Sequence, residues 1–148
     1  MMDDVVISLH SVHDSGSDDE DCLDFSTDGL YTFEDGVGCL TYMETEVTGL
    51  EGTRTTVMVM PQQVVVDRDG LITSRMIFRE GEKNSMLYDT PYGNATMSIS
   101  TRRITHAFDE NGGRLEVDFV LDVEHAVVSR NLVQLSVEKI KQGVKPNV

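Results

Sequence analysis

The chain has 148 residues and carries 12 Lys+Arg against 26 Asp+Glu, a formal net charge of −14. That length suits one domain over residues 1–148, able to bury a core without disulfide or metal support. The charge argues against nucleic acid and against an anionic membrane surface as partners, because both need a cationic face. Two cysteines, Cys22 and Cys39, cannot make a disulfide framework or a four-ligand zinc site. The opening MMDDVVISLH has acids where an export signal carries positive charge, and no run approaches ~18 apolar residues. A cytoplasmic location is therefore expected.

Nineteen valines and thirteen threonines stand against three alanines, and β-branched side chains suit a pleated surface better than a helix. A first strand is expected over residues 4–13. The SGSDDED run at 15–21 holds four acids and no apolar anchor, so it is expected to be a mobile acidic loop. Strands follow over 23–33, broken by a bulge or tight turn at Asp28-Gly29, and over 37–47 and 53–60. Pro61 marks a break before 62–66, and Asp67-Arg68-Asp69-Gly70 reads as a turn into 71–78. The TPYG segment at 90–93 interrupts the next strands, expected at 85–90 and 95–108. The last two strands cover 114–124 and 127–140. In the former, Leu115, Val117, Phe119, Leu121 and Val123 oppose Glu116, Asp118, Asp122 and Glu124, which marks one buried and one wet face. About 8–10 short antiparallel strands must hide their edges, either in a single up-and-down barrel or in a sandwich. Composition and periodicity leave both open.

The most unusual polar pattern is Tyr42, Glu44 and Glu46 at period two on one strand. If 48–52 is a five-residue loop, Val47 pairs with Thr53 and Glu46 faces Arg54. Glu44 then lies across from Thr56, and Tyr42 from Met58, grading the pair from charged near its turn to apolar farther down. Arg75 and Tyr88 sit on strands able to approach the same wall. The candidate ligand-binding set is thus Tyr42, Glu44, Glu46, Arg54, Arg75 and Tyr88, lining a mouth and interior. The competing reading is a solvated ion-pair face with Met43, Val57 and Val59 turned into the core. A one-residue slip exchanges the two readings.

No pattern supplies catalytic or metal chemistry. Asp67-Arg68-Asp69-Gly70 and the DENG run at 109–112 echo calcium loops, but hairpin turns explain them without helices or a closing Glu. His10 and His13 fall on opposite faces of a strand. Ser136 and Lys139 have an acylase spacing without the accompanying motifs. No cofactor and no metal are expected.

Two segments, ETEVTGLEGT at 44–53 and YDTPYG at 88–93, are joined in order by FREG at 78–81 and GRLE at 113–116. With these the chain resembles the YwiB-like family of small bacterial β-barrels over residues 5–141. Asp89 stands where many relatives are expected to have Glu, which preserves charge. The resemblance implies a calycin-type barrel, similar to lipocalins and fatty-acid-binding proteins, with an internal pocket. It implies no activity, cofactor or catalytic residue.

The expected function is that of a noncatalytic, soluble small barrel that binds a small molecule through a polar mouth and a partly apolar interior. The alternative is a structural or protein-interaction module whose barrel is filled by side chains. An acid–base enzyme built on Glu44 and Glu46 ranks behind both, since a strand would hold their Cβ atoms roughly 7 Å apart with no substrate geometry to match. Oligomeric state is not legible.

Overall fold

The computed structural model describes residues 2–14, 20–90, 93–124 and 126–140. Its strands are β1 (Asp3–Asp14), β2 (Glu20–Glu34), β3 (Val37–Met43), β4 (Arg54–Val59) and β5 (Val64–Asp69). They continue as β6 (Ser74–Phe78), β7 (Lys83–Thr90), β8 (Gly93–Asp109), β9 (Gly112–Val123) and β10 (Ala126–Lys139). All ten belong to one antiparallel sheet of order β6-β5-β4-β3-β2-β1-β10-β9-β8-β7. The acidic loop expected at 15–21 falls outside the described residues at 15–19, and Glu20 already begins β2. The TPYG turn falls outside them at 91–92. Among the described residues, no helix is long and apolar enough to cross a membrane.

The sheet rolls into a nearly closed barrel. First and last strands pair, Val5 with Lys139 through Asp14 with Arg130, but β6 and β7 meet without a ladder. Asn84 Nδ2 donates to Ile77 O at 3.4 Å across this seam. Beside it Gly81 N donates to Thr101 O at 2.8 Å, and Thr101 N to Glu82 O at 3.0 Å. Full closure therefore fails at one place, because the chain leaving the five-residue β6 is drawn onto β8 before β7 begins.

Alternation decides which side chains fill the barrel. β3 and β4 alternate strictly between buried and half-exposed residues, so Leu40, Val57 and Val59 face inward. Ile7, Tyr31, Leu40 and Ile99 are almost wholly buried; an aliphatic side chain so placed contributes about 1.5–3 kcal/mol. Phe78 and Phe119 meet edge to face at 4.9 Å. Tyr31 anchors its part of the interior: its ring lies 6.2 Å from Phe108 and its hydroxyl donates to Asp109 O at 2.7 Å.

The Asp28-Gly29 break expected from the sequence does not occur, and β2 runs through it. Gly29 pairs with Val5, and a Cβ there would fall 2.6 Å from Ile7 Cδ1 and 2.7 Å from Thr41 O. This glycine serves close packing rather than a turn. A true turn lies between β2 and β3, where Asp35 and Gly36 take φ of 52° and 79° and Glu34 pairs with Val37. Both central residues at positive φ match a two-residue hairpin.

Candidate functional site

The connection between β3 and β4 sets the site. The observed register pairs Met43 with Arg54, Tyr42 with Thr55 and Leu40 with Val57. Glu44 N donates to Thr53 O at 2.8 Å. Glu44 therefore stands opposite Thr53 and not Thr56, and the expected pairing of Val47 with Thr53 and of Glu46 with Arg54 is overturned. The reason is a loop longer than five residues. Thr48 N bonds Thr45 O, Gly49 N bonds Glu46 O, and Thr53 N bonds Leu50 O, so the segment folds on itself before β4 starts.

Of the six candidate residues, Tyr42 and Glu44 come together inside, each 5% exposed. Glu46 is exposed in the loop, and Arg54 is exposed on the outer face. Met43, placed in the core by the ion-pair reading, is 50% exposed, whereas Val57 and Val59 are buried. Arg75 also faces outward, since Ser74 and Phe78 are buried at the alternate positions. Its Nε and Nη2 donate to the two Asp67 oxygens at 2.8 and 3.0 Å. That bidentate bond raises the guanidinium above its usual value. The Tyr88 backbone pairs with Ala95, and its side chain lies outside the described residues.

Arg68 completes the interior and was hidden in an expected turn. β5 in fact continues to Asp69, so Val64, Val66 and Arg68 all follow the inward parity. Continuing that period by one step would have found it. Glu44 Oε1 accepts from Thr48 Oγ1 at 3.0 Å, and Oε2 accepts from Thr55 Oγ1. Arg68 Nε lies 3.9 Å from Oε2, the carboxylate being 2% exposed and the guanidinium 24%. Its Nη1 reaches Met76 Sδ at 3.5 Å. Burial pushes the Tyr42 phenol well above the usual tyrosine value, and the Glu44 charge pushes it further, while Arg68 partly offsets this.

These groups form one end of a cavity of about 300 Å³ inside the barrel. Leu9, Leu23, Phe25, Val66, Phe119 and Val133 supply much of its apolar wall, and Thr48 and Leu50 border it from the loop. A larger groove of about 670 Å³ lies on the outer face. There the polar side chains engage one another: His10 with Asp24, Gln134 with Glu116 at 2.8 Å, and Ser8 with Ser26 at 3.2 Å. His13 bonds Asn131 at 2.7 Å and does not join His10. Among the described residues, no group of three or more His, Cys, Asp or Glu could hold a metal ion.

Fold and cavity together define a small antiparallel β-barrel with a polar cluster at one end of its interior. Residues 7–135 match the family described as Domain of unknown function (DUF1934), and the chain belongs to that family. It is similar to the Uncharacterized beta-barrel protein YwiB of Bacillus subtilis (strain 168), with 26% identity over 126 residues, 83% of this chain and 86% of that protein. The crystal structure of ywiB protein from Bacillus subtilis superposes with a TM-score of 0.83 at 21% identity, covering 95% of this chain and 94% of that one. The YwiB-like resemblance read from the sequence is borne out.

Proposed function

We propose that this barrel is a noncatalytic binding protein that holds one small, mostly apolar molecule in its interior. The observation carrying the reading is the cavity of about 300 Å³, apolar along its wall and polar at one end. That volume lies at the lower limit of ligand pockets, roughly 300–1,000 Å³. Tyr42, Glu44, Thr55 and Arg68 converge there and orient the bound molecule. The calycin-type arrangement, with a ligand along the barrel axis, is the architecture this reading adopts. Binding is favoured over catalysis because the interior carboxylate has both oxygens engaged by threonine hydroxyls, which leaves it poorly placed to take a proton from a substrate.

Native mass spectrometry of the protein purified from its own host tests the reading. A retained small molecule, lost in the Glu44→Gln/Arg68→Met variant, is expected. An empty protein whose interior resonances respond to no apolar probe favours the filled, structural barrel instead.

A further inference from the structure

Resting on the ligand-binding reading above, we infer that the cavity takes a flat aromatic molecule of one or two fused rings and not an extended hydrocarbon chain. Two aromatic pairs on opposite sides of the cavity carry the inference, together with its volume.

Phe25, Tyr42, Phe78 and Phe119 all border the cavity. Phe25 on β2 and Tyr42 on β3 have ring centroids 6.3 Å apart and planes inclined at 52°. Phe78 on β6 and Phe119 on β9 form the edge-to-face pair, with planes at 69°. In the sheet order, β5 and β4 separate β6 from β3, and β1 and β10 separate β2 from β9. The two pairs therefore stand across the barrel from each other, with two strands between them on either side. A flat ring lying between them meets aromatic edges and faces on both sides. Each such contact adds about twofold to tenfold in affinity beyond the area it buries. An alkyl chain gains nothing of the kind and must give up its rotamer freedom to lie still.

Volume sets the upper size. An apolar protein cavity of about 150 Å³ takes one benzene ring, and this one, at about 300 Å³, has room for about two fused rings. A longer molecule has nowhere to extend along the barrel. Leu9, Val57 and Leu135 border the cavity. Two residues farther along the same strands, Ile7, Val59 and Val137 are almost wholly buried and pack together in the core.

The test uses three alcohols, so that the polar head is the same in each: 2-naphthol, octan-1-ol, which is of similar hydrophobicity, and the four-ring pyren-1-ol. Each is titrated at neutral pH into isotope-labelled full-length protein, and NMR follows the Val57 and Val66 methyls and the rings of Phe25 and Phe119. 2-Naphthol is expected to bind at least about fivefold more tightly than octan-1-ol, with ring-current shifts at both aromatic pairs. Pyren-1-ol leaves the interior signals in place. Phe25→Leu and Phe119→Leu each narrow the preference for 2-naphthol to about twofold. The comparison on the unmodified protein decides the matter even if a variant fails to fold. Octan-1-ol binding as tightly as 2-naphthol, or pyren-1-ol entering the interior with equal affinity, overturns the compact aromatic ligand while the binding reading survives. If no probe perturbs the interior, both fall.

Discussion

Gly70 and Thr53 meet backbone to backbone beneath the loop that borders the cavity. A Cβ on Gly70 would fall 2.6 Å from Thr53 Cα and 2.8 Å from Gly52 O, and the residue holds φ at +153°. Leu71 N donates to Thr53 Oγ1 at 3.1 Å, and Thr53 O in turn receives Glu44 N. The loop, the β5–β6 turn and the buried carboxylate are thus one mechanical unit. Gly70→Ala combines a strained φ with a backbone clash, so a loss of about 2–3 kcal/mol is expected in urea unfolding. Amide exchange at 44–53 accelerates more than exchange in β9.

The Glu44–Arg68 pair is expected to behave asymmetrically. Glu44→Leu leaves a largely enclosed guanidinium uncompensated and costs about 3 kcal/mol. Adding Arg68→Met removes that charge and recovers most of the loss. A double-mutant cycle by chemical denaturation reads the coupling; additive effects of the two changes contradict it.

Gly29→Ala tests the close passage of β2 over Ile7. The added methyl meets a side chain on one side and the Thr41 carbonyl on the other, so only part of the clash can relax. A destabilisation of about 1–3 kcal/mol is expected. The Gly29→Ala/Ile7→Val pair recovers some of it, because the shorter side chain withdraws the contact at Cδ1. A conventional bulge glycine would show no such recovery.

Alkaline pH weakens the fold through its buried phenols. Burial, with a further contribution from Asp109, pushes Tyr31 from 10.0 to about 12, and Tyr42 is raised further for the reasons given above. Their folded-state values lie above those of the unfolded chain, so the unfolded chain releases these protons first. The stabilisation is fully present below pH 10 and is lost as pH rises through about 12. Urea midpoints measured across that window fall more in the parent than in Tyr31→Phe. Phenolate absorbance shows a late-titrating class of tyrosines.

Much of the strand order was legible because the barrel wall obeys period two. The alternation from Leu115 to Val123 names its own buried face, and β9 runs Gly112–Val123. What stayed hidden depended on contacts between distant segments. Asp67-Arg68-Asp69-Gly70 has strong turn chemistry, yet pairing of Arg68 with both Thr55 and Ser74 holds it in strand. The 44–53 loop was misjudged because its internal hydrogen bonds, which no composition rule records, move the register. Arg54 and Arg75 were then drawn to the wrong face by following charge where parity should have ruled. Tyr42 and Glu44 face the interior because they share the parity of Leu40.

The sheet order has a consequence for how the molecule can be made. Asp3–Asp14 and Ala126–Lys139 lie side by side at its centre, whereas the seam falls between strands that are consecutive in the chain. During synthesis the first strand must wait for the last one, with one flank unpaired while everything between them emerges. Such long-range pairing slows folding and exposes an unsatisfied edge meanwhile. A circular permutant opened within 79–82 and linked from Lys139 to Asp3 would thread the same neighbours as a plain succession of hairpins. It could add strands as they leave the ribosome, reaching the same barrel with no waiting partner.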